Sequence, residues 1–178
     1  TFSLKILSSM AELKIAFTGP ESSGKTTMAE LIANVYSTSF IPEYAREFLK
    51  TKTTYTLADL DEIAKQQVEL CKASKNTLVI SDTEMAVMLI WSQEKFKEVS
   101  PTIQSYWKAQ DFDHLFLCAP DIPWEADKLR ENPLDRERLF VLYEELLTKN
   151  NCSFSILRGS LNQRIIACKK QMELLLKK

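Results

Sequence analysis

Short apolar segments alternate along the chain with longer segments in which apolar residues recur every three or four positions. The short segments predict strands and the longer ones predict helices, because side chains alternate across a strand and return to one face with each turn of a helix. The predicted strands cover residues 13–18, 38–41, 77–82, 114–118 and 153–157. Helices are predicted at 26–36, at 57–73 behind a Thr56/Asp59 cap, after residue 82 and from about Ser160. This alternation predicts an α/β three-layer sandwich with a five-stranded, largely parallel sheet.

Composition and charge fit one globular domain with no general attraction to nucleic acid or membrane. The chain has 178 residues, 45% of them hydrophobic, and a formal net charge of −1. No Pro- or Gly-rich linker divides it, so residues 13–178 are predicted to form a single domain behind an N-terminal extension, residues 1–12. The extension lacks the long apolar run of a signal peptide or a membrane span. The four cysteines are scattered, and with a lone His114 they offer no metal-binding spacing. Cysteines in this pattern are typical of reduced thiols in a cytoplasmic protein.

The segment GPESSGKTT, residues 19–27, matches the phosphate-binding pattern G-x-x-x-x-G-K-[ST] in full. In such a loop the backbone N–H groups point at phosphate oxygens, the lysine reaches the β- and γ-phosphates, and the next hydroxyl holds Mg²⁺. A predicted strand precedes the loop and a predicted helix follows it, which is the context that phosphate binding requires. We therefore expect MgATP to be bound by Gly19, Glu21, Ser22, Ser23, Gly24, Lys25, Thr26 and Thr27.

Charged residues follow the second predicted strand at its carboxyl end, where parallel sheets bind their ligands. These residues are Glu43, Tyr44 and Arg46. We expect Glu43 to take or orient the proton of a phosphoryl acceptor, and Arg46 to anchor that acceptor. A glutamate at a helix N-terminus, paired with a surface arginine, would explain the same two residues structurally.

Asp82 ends the third apolar strand, where an ionised acid is costly unless a cation or a donor meets it. Mg²⁺ held together with Thr26 is the favoured partner. The alternative structural role is an N-cap for the next helix. Asp82 could also be the general base in place of Glu43, and the residues alone do not separate these two assignments.

A lid is predicted around residues 121–138, where basic residues surround an Asn132-Pro133 turn. Such a segment could fold over the γ-phosphate and exclude water, with Arg130 and Arg136 as its contacts. Interleaved acids make a solvated helix face the alternative explanation. Trp124 lies just beyond the fourth strand, where its ring could stack on a base or pack within the lid.

Four segments resemble, in order and spacing, the nicotinamide riboside kinase domain of the bifunctional bacterial NAD-biosynthesis regulators: GPESSGKTT, PEYAREFL, SDTE and PDIPWEADKLRENPLDRERLF. The resemblance begins near Leu13 and covers most of the chain. It implies a P-loop kinase of the nucleoside-monophosphate-kinase type that transfers phosphate from MgATP to the 5′-hydroxyl of nicotinamide riboside. By position it also implies the site residues Lys25, Thr26, Glu43, Arg46, Asp82, Trp124, Asp127, Arg130 and Arg136.

The chain departs from that family in two ways. Asp82-Thr83-Glu84 stands where relatives commonly carry Asp-Thr-Asp, which leaves a second carboxylate role open. The relatives also carry a nucleotidylyltransferase domain and often a DNA-binding segment, and this sequence contains neither. The expectation for this chain is therefore a reaction that stops at the mononucleotide, with no direct regulation.

Other functions stay open beside this one. A kinase for another nucleoside or a small hydroxylated metabolite is one alternative, and a regulatory nucleotide-binding ATPase is another. A guanine-reading segment is missing after the fourth strand, which argues against a GTPase. The segment RGSLNQR, residues 158–164, predicts an adenine-side loop with Arg164 near the base. The expected partner is a small-molecule nucleoside, with neither nucleic acid nor membrane, and the sequence does not indicate an oligomeric state.

Overall fold

A five-stranded parallel sheet runs through the middle of the computed structural model, which describes residues 12–127 and 134–177. The strands lie in the order β2-β3-β1-β4-β5, and every neighbouring pair is parallel. Their bounds are β1 Leu13–Thr18, β2 Phe40–Ile41, β3 Leu78–Ser81, β4 His114–Cys118 and β5 Phe154–Leu157. The predicted fold class is confirmed.

Helices cover both faces of this sheet. Their bounds are α1 Lys25–Val35, α2 Tyr44–Phe48, α3 Leu57–Ala73, α4 Met85–Phe96, α5 Pro101–Ala109, α6 Arg136–Lys149 and α7 Leu161–Leu175. Helices α1 and α7 pack on one face, against Ile15 and Phe17 of β1, while α2 to α6 pack on the other, against Ala16. Successive residues of β1 thus serve opposite cores, which is why a strand covered on both sides is apolar throughout.

Several predicted boundaries agree with the structure and a few differ for local reasons. Strands β1 and β4 and helix α3 have the predicted bounds, and α3 begins with the Thr56/Asp59 capping box. Strand β2 is shorter than predicted because the N–H of Thr38 donates to the carbonyl of Ala33, closing the end of α1. Helix α5 was not predicted, although a serine cap at Ser100 and a proline at the first helical position are ordinary start signals.

The strand order sets the position of the ligand cleft. The chain runs from β1 to β2 and β3 on one side and then crosses to β4 and β5 on the other side. The side of the sheet to which successive strands are added therefore switches beside β1. Ligand clefts form at such a switch point, at the carboxyl ends of the strands. Among the described residues, no helix is both long and apolar enough to cross a membrane.

Candidate active site

The phosphate loop connects β1 to α1 in a tightly curled backbone. Gly19, Ser22 and Gly24 all have positive φ, at 129°, 51° and 85°. A Cβ atom on Gly19 would come within 2.6 Å of the Cys118 carbonyl oxygen, so a glycine is needed there for packing as well as for conformation. The Lys25 ammonium folds back over the loop and donates to the carbonyls of Gly19 and Pro20, each at 2.9 Å.

Asp82 lies beside the first turn of α1 and is almost fully buried, with 1% of its surface exposed. The Thr26 hydroxyl donates to Asp82 Oδ2 at 2.7 Å, while Oδ1 is buried without a hydrogen bond in the described part of the protein. Burial raises the pKa of Asp82 to about 6; the Thr26 hydrogen bond opposes this rise, nearby Glu43 adds to it, and Lys25 and Arg46 oppose it.

A divalent cation fits this pair of oxygens. The hydroxyl of Thr26 and the unpaired Oδ1 of Asp82 are hard oxygen donors, the kind that Mg²⁺ prefers, and Mg²⁺ usually takes only one or two protein ligands beside phosphate and water. Within residues 12–127 and 134–177 no cluster of three or more acidic, histidine or cysteine side chains could hold a metal. Thr26 and Asp82 therefore suit a metal ion that binds together with the phosphates of a nucleotide.

Glu43 is the N-cap residue of α2, and Arg46 lies one turn later within that helix. Glu43 Oε2 is 3.3 Å from Arg46 Nε, and Arg46 Nη1 is 3.0 Å from Asp127 Oδ2. Gln67 of α3 holds the start of α2, since its amide oxygen accepts from the N–H of Tyr44 and its amide nitrogen donates to the Pro42 carbonyl and the Ser81 hydroxyl. Sequence reasoning missed Gln67, whose only signal was a polar residue on the apolar face of a predicted helix.

A cavity of about 430 Å³ adjoins the phosphate loop. Its polar wall is the loop itself, residues 19–27, with Glu43 and Arg46, so the predicted phosphate-binding residues and these two side chains surround one space. The opposite side comes from α4, α6 and the residues next to them. It has an apolar wall, Val87, Ile90, Trp91, Leu139 and Tyr143, and beside it the charged residues Glu94, Lys95, Lys97, Asp135 and Arg138. The volume suits a small organic ligand.

The cavity wall holds residues that the sequence did not single out. Trp91 lies in the helix predicted after residue 82; its indole N–H donates to the Tyr55 hydroxyl at 2.8 Å, and the residue also lines the cavity. At the rim, the Arg138 guanidinium bridges Asp135 and Glu94 and so ties α6 to α4. The signal for this wall was the nearly all-apolar helix after Asp82, which indicates burial but not a ligand.

The described part of the predicted lid lies against the phosphate loop. Arg136 Nη1 donates to the carbonyls of Ser22, at 3.0 Å, and Ile122, at 3.1 Å. Its guanidinium carbon is 5.6 Å from the centre of the Trp124 ring, a cation–π distance. Arg136 therefore contacts the loop backbone here, and Trp124 packs against Arg136. Arg130, the other predicted lid contact, lies outside the described residues.

Three further expectations need correction or restriction. Arg164 is not open to a base: it is 2% exposed, and its guanidinium donates to the carbonyls of Ser23, Ala119 and Gly159 behind the phosphate loop. Tyr44 packs on Phe48, at 6.0 Å between ring centres, and does not line the cavity. Glu84, in the Asp-Thr-Glu segment, is buried and accepts from the N–H of Ala86, so it caps α4.

Comparison with known proteins gives a family match over most of the chain. Residues 14–164 match the AAA domain family model. The trifunctional NAD biosynthesis/regulator proteins NadR of Escherichia coli (strain K12) and Salmonella typhimurium are 27% identical over 150 residues. That alignment covers 79% of this chain and 37% of each relative, so the chain spans a little over a third of their length. The resemblance noted in the sequence is thereby confirmed.

Solved structures match the fold over most of the chain. A crystal structure of NadR in complex with NAD and AMP-PNP has a TM-score of 0.74 and 18% identity, covering 92% of this chain and 49% of that one. NadR in complex with NR has a TM-score of 0.73 and 19% identity, covering 92% and 51%. Deoxyadenosine kinase from M. mycoides has a TM-score of 0.64 and 14% identity, covering 92% of this chain and all of that one.

Proposed function

The chain belongs to the AAA domain family, and from this premise we propose that it is an ATP-dependent kinase that phosphorylates the 5′-hydroxyl of nicotinamide riboside to give the mononucleotide. The observation that carries the proposal is the cavity between the phosphate loop and Glu43. A kinase needs such a space for a small acceptor beside the γ-phosphate, whereas a nucleotide-dependent switch does not.

The nucleotide's phosphates fit the loop. The N–H groups of the loop and of the first turn of α1 would donate hydrogen bonds to the phosphate oxygens, and the Lys25 ammonium would exchange its two loop carbonyls for the β- and γ-phosphates. Thr26 and Asp82 would hold Mg²⁺, which neutralises charge on the phosphate oxygens when it is bound.

Glu43 is the better candidate for the general base. It lines the cavity, while Asp82 is tied to the Thr26 hydroxyl and does not line it. In the proposed step the acceptor oxygen forms a bond to the γ-phosphorus as the bond from that phosphorus to the oxygen of ADP breaks. The proton of the acceptor hydroxyl passes to the Glu43 carboxylate. Arg46, held between Glu43 and Asp127, would position the acceptor.

Nicotinamide riboside is proposed as the acceptor because of the relatives. NadR is similar in sequence, and a NadR structure that contains NR is similar in fold over 92% of this chain. The apolar wall with Trp91 suits a flat ring, and ribose hydroxyls would meet Glu43 and Arg46. We also propose a cytoplasmic location, since Cys71, Cys118, Cys152 and Cys168 are all free thiols.

A kinase acting on a deoxyribonucleoside is the second candidate. The observation that favours it is the match to deoxyadenosine kinase, which extends over the whole length of that enzyme and 92% of this chain. The same phosphate loop and general base would serve either acceptor. The two candidates differ in the nucleobase that the apolar wall admits and in the 2′-hydroxyl that Glu43 and Arg46 would meet.

The test is ADP release from MgATP by the purified protein with nicotinamide riboside, ribonucleosides or deoxyribonucleosides, with products identified by mass spectrometry. We expect strong stimulation by nicotinamide riboside and formation of the mononucleotide, and no stimulation with the Lys25→Ala protein. Stimulation only by a deoxyribonucleoside would favour the second candidate. Bound ATP with no stimulation by any nucleoside would refute the nucleoside-kinase proposal.

A further inference from the structure

We propose that Arg164 is a positioning residue that orients the phosphate loop from behind and thereby sets the affinity for the phosphate chain of the nucleotide. The inference rests on the proposed nucleotide site but not on the identity of the acceptor. Arg164 lies in the first turn of α7, on the side of the loop away from the cavity, and it is 2% exposed.

The Arg164 guanidinium joins three segments of the chain. Nη1 donates to the Ser23 carbonyl of the phosphate loop at 2.6 Å. Nη2 donates to the Ala119 carbonyl, just after β4, at 2.8 Å and also pairs with Asp121. Nε donates to the Gly159 carbonyl, just after β5, at 3.0 Å. The side chain thus fastens the loop after β1 to the ends of the next two strands.

Asp121 completes this anchor from the loop after β4. One of its carboxylate oxygens pairs with Arg164, and the other accepts from the N–H of Gly159 at 2.7 Å. A buried guanidinium is stable only when its donors and charge are satisfied, and here the carbonyls and the carboxylate do both. Because the guanidinium is planar and its donors form a rigid fork, the three segments are held in fixed relative positions.

The contact with Ser23 has a direct consequence for phosphate binding. In a trans peptide the C=O and the following N–H point in opposite directions. Since the Ser23 carbonyl points back at Arg164, the N–H of Gly24 points toward the cavity side of the loop. Arg136 of α6 holds the Ser22 carbonyl in the same way, which directs the N–H of Ser23 away from Arg136. Arg164 therefore sets the direction of a donor that phosphate oxygens need.

The experiment compares two ligands that both contain a chain of three phosphates, of which only one carries a nucleoside. Dissociation constants for MgATP and for magnesium tripolyphosphate are measured by calorimetry on wild type, Arg164→Lys and Arg164→Gln. We expect Arg164→Gln to bind both ligands about 10- to 100-fold more weakly, by the same factor for each, because a misdirected loop N–H loses its charged hydrogen bond to phosphate. Arg164→Lys should fall between, since it keeps the charge beside Asp121 but loses the fork.

A control separates positioning from a loss of stability. Met172 lies on the same helix, is fully buried and packs in the core away from the loop, so Met172→Ala should lower the melting temperature without changing either dissociation constant. In steady-state assays with an accepted substrate, the Arg164 variants should raise the KM for MgATP and leave the KM for the acceptor unchanged.

Several outcomes would overturn the inference. Weaker binding of MgATP with unchanged binding of tripolyphosphate would place Arg164 at the nucleobase. Unchanged affinity for both ligands would exclude a role of Arg164 in nucleotide binding. Equally weak binding in Met172→Ala would attribute the effect to a loss of stability.

The proposed function can fail independently of this inference. A wild-type protein that binds MgATP but phosphorylates no nucleoside would refute the kinase proposal, while the binding comparison would still decide the role of Arg164. If Arg164→Gln does not fold, Arg164→Lys and Asp121→Asn, which removes the counter-charge, give the same comparison.

Discussion

The carboxylate of Asp82 should destabilise the folded protein in the absence of nucleotide. Burial, with only 1% of the residue exposed, raises its pKa from the ordinary 3.8 to about 6. A group whose pKa is higher in the folded state binds its proton more tightly there, so stability falls as pH rises through the interval between the unfolded and folded values. The difference in pKa corresponds to about 3 kcal/mol of folding stability, most of which is lost between about pH 4 and about pH 7.

Asp82→Asn isolates this effect because asparagine has the same shape and does not titrate. The amide can still accept from the Thr26 hydroxyl, and any constant cost of its unpaired N–H is the same at every pH. The stability of the variant relative to wild type should therefore rise by about 2–3 kcal/mol from about pH 4 to about pH 7. Urea unfolding of both proteins across this range, without nucleotide or magnesium, measures the difference.

Asp59 provides a control of opposite sign. Its pKa is lowered to about 2 by the Lys52 ammonium and by the Thr56 cap, so its ionised form stabilises the folded state. That stability is present above the unfolded pKa and is lost as pH falls through the folded value. Asp59→Asn should thus become less stable relative to wild type as pH rises, where Asp82→Asn becomes more stable.

The reasoning on Asp82 would be refuted by a stability difference that does not change with pH. Such a result would mean that the folded protein already solvates the ionised carboxylate. We also expect Asp82→Asn to lose phosphoryl transfer and most of the stabilisation that MgATP gives to wild type. A variant that is more stable but inactive would show that the charge is retained for the metal rather than for the fold.

Four further substitutions test separate parts of the site and fold. Lys25→Ala should lower kcat by about 10²-fold or more with an unchanged circular dichroism spectrum, and near-normal turnover would contradict its role. Glu43→Gln should bind MgATP normally in calorimetry and lose about 10²- to 10⁴-fold in kcat; unaltered turnover would move the base to another residue. Gly19→Ala, at φ 129° and 2.6 Å from the Cys118 carbonyl, should lose about 2–4 kcal/mol in urea unfolding, and a wild-type midpoint would argue against the packing. Thr56→Ala should cost about 1 kcal/mol through the lost cap and leave kcat unchanged, and normal stability would show that the cap is redundant.

The phosphate loop and the sheet could be predicted from sequence because their determinants are local. Strand β1 is a continuous apolar run, the loop pattern follows at once, and α1 begins where the pattern ends. Asp82 could be placed beside Thr26 by the general rule that ligands gather at the carboxyl ends of parallel strands, and the two side chains are 2.7 Å apart. In each case one segment and one rule were sufficient.

The apolar wall of the cavity could not be predicted in the same way. Helix α4 is apolar on almost every face, a pattern that indicates burial without saying what buries each face. Part of α4 packs on α3, α5 and α6, while Val87, Ile90 and Trp91 also border the cavity. Only the relative positions of α4 and α6 turn a core pattern into a binding surface, and those positions depend on tertiary packing.

The orientation of the loop peptides depends on residues still further away in the sequence. Arg136 and Arg164 reach the loop carbonyls across 114 and 141 residues. The sequence predicted both near the nucleotide, but nothing in it indicated hydrogen bonds to the loop backbone. The strand order explains why they meet the loop: β1 lies next to β4 and β4 next to β5, so the helices that follow β4 and β5 begin beside the loop that follows β1. The motif supplies a backbone able to bind phosphate, and the topology supplies the arginines that fix its direction. A substitution distant in sequence, in the first turn of α6 or α7, should therefore change nucleotide affinity as much as one within the loop.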